Sequence, residues 1–147
     1  MGLDITINWA EIWFNLGQLL IAWMLALPVA WDRERASRGA GLRTFPLVAV
    51  AACGYMLVGI SVLDSTEAEA RVVQGLITGV GFIGGGAILK SKGSVTGTAT
   101  AASIWNTGLI GMAVAYHRYE VALLMSLINF VTLRFVRRWK PGSQEQE

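Results

Sequence analysis

The stretch that decides the fold is Arg71-Val-Val-Gln-Gly-Leu-Ile-Thr-Gly-Val-Gly-Phe-Ile-Gly-Gly-Gly-Ala-Ile-Leu89, an apolar run with glycine at 75, 79, 81, 84, 85 and 86. In water six glycines would cost a helix too much backbone entropy for its length. In lipid the backbone must satisfy its own hydrogen bonds, so the run is read as a helix, and the absent side chains let a second backbone approach. Gly75/Gly79 and Gly81/Gly85 each form a GxxxG pair. Two readings stand: a packing face for a neighbouring helix, or a bend around Gly84–Gly86 whose carbonyls line a polar cavity. A phosphate-binding loop is excluded, because no GK[ST] follows Gly81-Phe-Ile-Gly84 and no strand precedes it.

Similar runs lie on either side. Apolar segments long enough for a bilayer place membrane spans at Ile12–Trp31, Phe45–Leu63, Val72–Leu89, Thr98–Ala115 and Val121–Val136. The expected fold is all-α, a polytopic membrane protein of about five transmembrane helices. Over the 147 residues, 54% are hydrophobic and 15% charged, where a soluble domain carries about a quarter charged. Trp9, Trp13, Trp31, Tyr116, Tyr119 and Trp139 fall at proposed span ends, as interfacial rings do. Pro46 is read as opening the second helix and Pro28 as a kink late in the first. Residues 1–140 make one membrane domain and 141–147 a polar tail; Met1–Trp9 lacks the basic region and cleavage site of a signal peptide.

Basic residues set an orientation. Arg33, Arg35, Arg38 and Arg43 lie between the first two spans, Lys90 and Lys92 between the third and fourth, and Arg134, Arg137, Arg138 and Lys140 at the C-terminal end. Against these ten, the other side holds Arg71 and Arg118. The positive-inside rule then puts the N-terminus outside and the C-terminus in the cytoplasm, in a bacterial inner membrane. The outer loop Asp64–Arg71 is acidic and reads as a solvated turn.

Chemistry is sparse. No proposed span holds Asp or Glu in its interior, so neither a carboxylate cage for a hard cation nor an ionisable proton relay is visible. His117 stands in an outer loop beside Arg118 with no nucleophile or carboxylate constellation, and an enzyme is not expected. Cys53, the one cysteine, can form no internal disulfide and is read as a small apolar filler. No cofactor or metal site is expected, and no basic face with interleaved aromatics suggests nucleic acid. Asn106, near the middle of the fourth span beside Trp105, should turn inward and bond Asn129 or Gln18 across helices.

Two blocks together carry a family likeness: Asp32-Arg-Glu-Arg-Ala-Ser-Arg-Gly-Ala-Gly-Leu-Arg-Thr44, and Gly79-Val-Gly-Phe-Ile-Gly-Gly-Gly-Ala-Ile88 leading to Thr100-Ala-Ala-Ser-Ile-Trp105. They resemble the MgtC/SapB family of bacterial inner-membrane proteins over about residues 10–135. The resemblance implies a hydrophobic membrane domain, a link to growth at low magnesium and survival in hosts, and for some members restraint of the proton-driven ATP synthase. It also matches Glu34 and Arg35 to the family's acidic-basic pair, Arg43 to its AGLRT block, and Arg71 to the arginine before its glycine-rich span. Gly79, Gly81, Gly84, Gly86, Thr100 and Trp105 match the remainder, and Gly85 and Asn106 join them from the residue reading above. Departures are Ala68-Glu69 where Asp-Pro often stands and Ala99 where some members have Asn, and the soluble C-terminal domain of longer members is not expected. The expected function is non-enzymatic and magnesium-linked. It would act by helix contacts with the bilayer, with itself or with another membrane protein; the alternative is a Mg²⁺ or small-solute path along the third span.

Overall fold

Five helices carry the chain in the computed structural model, which describes residues 8–36, 40–91 and 94–136. They are α1 (Trp9–Ala36), α2 (Thr44–Val62), α3 (Thr66–Gly86), α4 (Thr98–Ala115) and α5 (Tyr119–Phe135). Between α3 and α4, a hairpin of β1 (Leu89–Ser91) and β2 (Ser94–Thr96) pairs antiparallel, Leu89 opposite Thr96 and Lys90 opposite Val95. The all-α expectation holds apart from this hairpin, which replaces the expected loop. Arg38, Lys92, Arg137, Arg138, Trp139, Lys140 and the 141–147 tail lie outside the described residues.

The helix α4 is central because its side chains are small. Ala101, Ser103, Ile104, Thr107, Gly108, Ile110, Gly111, Ala113 and Val114 are all buried, and α1, α2, α3 and α5 all pack on α4. A Cβ on Gly111 would collide with the Ala49 carbonyl of α2, and one on Gly108 would come within 2.9 Å of Val80 on α3. Close backbone approach of this kind is how membrane helices associate without a hydrophobic drive between them. Two apolar groups fill the bundle. One gathers Ala22, Ala26, Ala49, Cys53, Met56 and Ile110; the other joins Val29, Phe45, Val48, Val80, Ile104 and Leu133.

The outside of the bundle carries many large apolar side chains. Trp13, Met24, Leu47, Val58, Phe82, Leu123, Leu127 and Ile128 are exposed. A soluble domain does not expose so large an apolar surface, whereas a lipid-facing one does. α1 and α2 are long and apolar enough to cross a bilayer. α4 and α5, at 18 and 17 residues, reach about 25–27 Å at 1.5 Å per residue, slightly short of a core about 30 Å thick.

The helices extend past the apolar runs where polar residues continue them. α1 runs on through Asp32 and Arg33 to Ala36. α3 begins at Thr66, so most of the acidic segment read as an outer loop is its first turns. There the Ser65 hydroxyl accepts from the Ala68 N–H at 3.2 Å, a side-chain N-cap that places Glu67 and Glu69 at the positive end of the helix dipole. Pro46 is the third residue of α2 rather than the first, still within the turn whose N–H groups lack helical partners. Gly97 adopts φ 84°, which turns β2 into α4, and a Cβ there would strike the Ala87 carbonyl. His117 takes the left-handed position of the α4–α5 corner at φ 58°. Its N–H bonds Val114 O at 2.9 Å and Arg118 N–H bonds Ala113 O at 2.8 Å, the paired bonds of a Schellman turn.

Candidate functional site

At the end of the bundle where α1 stops and α2 starts, the charged block folds back on itself. Glu34, exposed on the last turn of α1, accepts the Leu42 N–H at 2.9 Å, and Gly41 lies so close that a Cβ would run into its carboxylate. The Gly41 carbonyl accepts the N–H groups of Thr44 and Phe45, starting α2. Glu34 therefore fixes the entry to α2 through the backbone. Arg43 is exposed at the N-cap position, and among the described residues no ion pair joins it to Glu34. Arg35 is exposed with its guanidinium 4.8 Å from the Trp31 ring centroid.

The acidic-basic pair that the fold buries lies two residues upstream of Glu34 and Arg35. Arg33 donates to Asp32 at 2.9 Å with both side chains buried, and Arg134 of α5 approaches the other Asp32 oxygen at 3.8 Å. Desolvated charges are costly unless paired, so this pair couples the end of α1 to α5. The sequence held a signal for it. Gln18, Ala22, Ala26, Val29, Asp32 and Arg33 follow helical spacing and are all buried, so the inward face of α1 continues past the last apolar residue.

On α3 the glycines divide. Gly84 packs against α4, where a Cβ would come within 2.9 Å of the Ala101 carbonyl, one residue from buried Thr100. Gly81 has the Trp105 ring at 3.8 Å from the same virtual position. Gly75, Gly79, Gly85 and Gly86 meet nothing within 4 Å. With Phe82, 84% exposed, Gly75, Gly79 and Gly86 form an outward stripe at spacings of four, three and four. Beside it an apolar groove of about 400 Å³ separates α2 from α3, lined by Ala51, Ala52, Tyr55, Val72, Gly75 and Gly79.

The polar residues of the spans pair differently from the expectation. Asn129 accepts from the Ser103 hydroxyl at 3.0 Å and donates to the Ser103 carbonyl at 3.2 Å. Gln18 accepts from the Tyr119 hydroxyl at 2.9 Å. Asn129 and the Gln18 oxygen are thus engaged elsewhere, the buried Gln18 amide nitrogen has no partner among the described residues, and the half-buried Asn106 makes no side-chain hydrogen bond among them. Ser126, which the sequence reading passed over, donates to Leu25 O on α1. At the opposite end of the bundle, exposed Arg71 pairs with Glu67 at 3.1 Å, and the Tyr116 hydroxyl donates to Glu69 at 3.3 Å. Desolvation first, then Glu69, raises the Tyr116 phenol above its ordinary range. Glu120 is held below the usual carboxylate range by its bond from Arg118. Among the described residues no three His, Cys, Asp or Glu side chains converge.

The profile of the MgtC family matches residues 19–141. SrpB from Synechococcus elongatus is 34% identical, over 86% of this chain and 77% of its own. YhiD from Escherichia coli K12, whose name assigns it provisionally to magnesium transport, is 32% identical over 79% of this chain and 57% of its own. MgtC from Salmonella typhimurium is 33% identical over 75% of this chain. The match covers 47% of that protein, so the chain corresponds to about half the length of two of these relatives. No solved structure matches.

Proposed function

The chain belongs to the MgtC family, and from that membership we propose a non-enzymatic inner-membrane protein of magnesium-linked physiology that acts by helix contacts with itself or another membrane protein. Five spans with the N-terminus outside and the C-terminus in the cytoplasm suit this reading, given the apolar outer surface and the ten-to-two basic asymmetry. The observation that carries it is the outward stripe of α3. Gly75, Gly79 and Gly86 weaken the helix without being filled from within the chain, a sacrifice that a second helix would repay by close packing. Half-buried Asn106 on α4 adds a side-chain amide with no hydrogen bond among the described residues.

Gly79→Leu tests the reading, because a Cβ there meets nothing within 4 Å among the described residues and the groove between α2 and α3 leaves room for the side chain, so the variant should reach normal membrane levels. Loss of growth under magnesium limitation, in a strain lacking the gene, is the expected result. Full growth with normal accumulation would reject contact through this face.

Transport is the second reading, supported by the name of YhiD and by the groove between α2 and α3. The apolar lining weighs against a hydrated cation, which needs oxygen ligands. Mg²⁺ flux into proteoliposomes holding the purified protein separates the two readings.

A further inference from the structure

The charged end of the seam between α1 and α5 holds more guanidinium than carboxylate. Asp32 is taken by Arg33 at 2.9 Å, both buried, which leaves that pair neutral. Arg134 reaches the same acid at 3.8 Å, outside hydrogen-bond distance, with its side chain 44% exposed. Arg35 lies three residues beyond Asp32, on the α5 flank of α1, and its described partner is the Trp31 ring. Glu34, the other nearby acid, points to the opposite side of α1 and is occupied by the Leu42 N–H. Two exposed cations therefore flank the seam with no second anion among the described residues.

What lies beneath them is apolar. Met24 stands eleven residues before Arg35 and seven before Trp31, and Leu127 seven before Arg134, so each lies on the face of its helix below an arginine; both are exposed. Arginine above and apolar surface below is the profile of an amphiphile with an anionic head. We propose that Arg35 and Arg134 bind the phosphate of an anionic glycerophospholipid, with Trp31, Met24 and Leu127 against its acyl chain. A guanidinium offers paired donors to phosphate oxygens, and Trp31 holds the Arg35 side chain in place by its ring face. A free phosphate would use the same donors and leave the apolar strip unused. The inference rests on the membrane reading above, because the seam must meet the head-group layer.

The test is native mass spectrometry of the full chain in detergent with phosphatidylglycerol or phosphatidylcholine added. Phosphatidylglycerol should be retained in preference. Arg35→Gln and Arg134→Gln should each cut that retention about 5-fold, the factor one basic residue contributes near an anionic leaflet. Arg134→Lys should keep most of it. Arg118→Gln, at the opposite end and paired with Glu120, should change nothing. Arg35 is exposed and makes no ion pair among the described residues, so Arg35→Gln carries the test even if Arg134→Gln misfolds. Equal retention of both lipids, or retention indifferent to Arg35→Gln, overturns the proposal; displacement of phosphatidylglycerol by excess inorganic phosphate overturns the lipid as the source. Reporter fusions that reversed the topology would instead sink the membrane reading itself, so the two failures are distinguishable.

Discussion

Ser103 and Asn129 exchange two hydrogen bonds between α4 and α5, the Ser103 hydroxyl donating to the Asn129 side-chain oxygen and the Asn129 amide donating to the Ser103 carbonyl. Both residues are buried. The clasp predicts that Asn129→Leu lowers the stability of the purified protein by about 0.6–1.7 kcal/mol, the range interhelical polar contacts show in membranes. Asn106→Leu should leave stability in detergent unchanged, because no hydrogen bond of the described residues is lost. Thermal unfolding of the two variants side by side checks this; an equal loss for Asn106→Leu would restore it as part of the clasp.

Asp32 and Glu34 should separate as sharply. Asp32→Asn removes the buried carboxylate that Arg33 donates to at 2.9 Å, and breaking a buried pair in this way costs about 3–5 kcal/mol. Glu34→Gln keeps an oxygen for the Leu42 N–H and should fall within about 0.5 kcal/mol of the parent. Exchanging the charges of Glu34 and Arg43 together should bring no mutual rescue. Membrane accumulation and melting temperature report each case, and recovery in the double exchange would contradict the backbone role given to Glu34.

The tie between Tyr116 and Glu69 gives a pH dependence whose sign is fixed. The phenol is raised in the folded state, so the folded protein holds its proton more tightly than the unfolded chain. The contribution is fully present below the ordinary phenol range near about pH 10 and is lost as pH rises through the raised value. Its size is small because the phenol is largely exposed to solvent. Subtracting the phenolate absorbance titration of Tyr116→Phe from that of the parent should leave a component above the free-tyrosine midpoint. A component at or below that midpoint would show that Glu69 does not act on this hydroxyl.

Much of this arrangement was legible in the residues, and the misses share a cause. The limits of α4 coincide with the reading Thr98–Ala115 because Gly97 and the Tyr116–Arg118 corner punctuate it chemically. The end of the first apolar run at Trp31 does not mark the end of α1, because Asp32, spaced from Val29 and Ala26 along the inward face, continues the helix to Ala36. The partners of the mid-span amides were misassigned for a different reason. α4 is apolar and small-residued all round, so periodicity does not say which face is inward, and Ser103 and Asn106, about 60° apart on the helical wheel, are interchangeable on paper. The same uniformity hid which glycines are packed. The GxxxG pairs of α3 are Gly75/Gly79 and Gly81/Gly85, yet among the described residues the tightest approaches between helices run through Gly111 and Gly108 of α4 and Gly84 of α3.

That division of the glycines gives the last prediction. Gly111→Ala places a methyl group against the Ala49 carbonyl and the Ala52 side chain, so α2 and α4 must separate. Overpacking of this kind costs about 1–3 kcal/mol. Gly75→Ala adds its methyl group to open space on α3, and alanine removes part of glycine's helix penalty, so stability in detergent should hold or rise by up to about 1 kcal/mol. The two substitutions add the same atoms to two helices of one bundle, so the difference between them isolates packing within the chain from helix propensity. Activity should sort them differently from stability. Gly111→Ala should lose growth under magnesium limitation in proportion to its lost accumulation, whereas Gly75→Ala should accumulate fully and lose growth only if a second helix occupies the outward stripe. If Gly111→Ala melts with the parent, the close approach of α2 and α4 is not a feature of the folded protein, and the central place given to α4 falls with it.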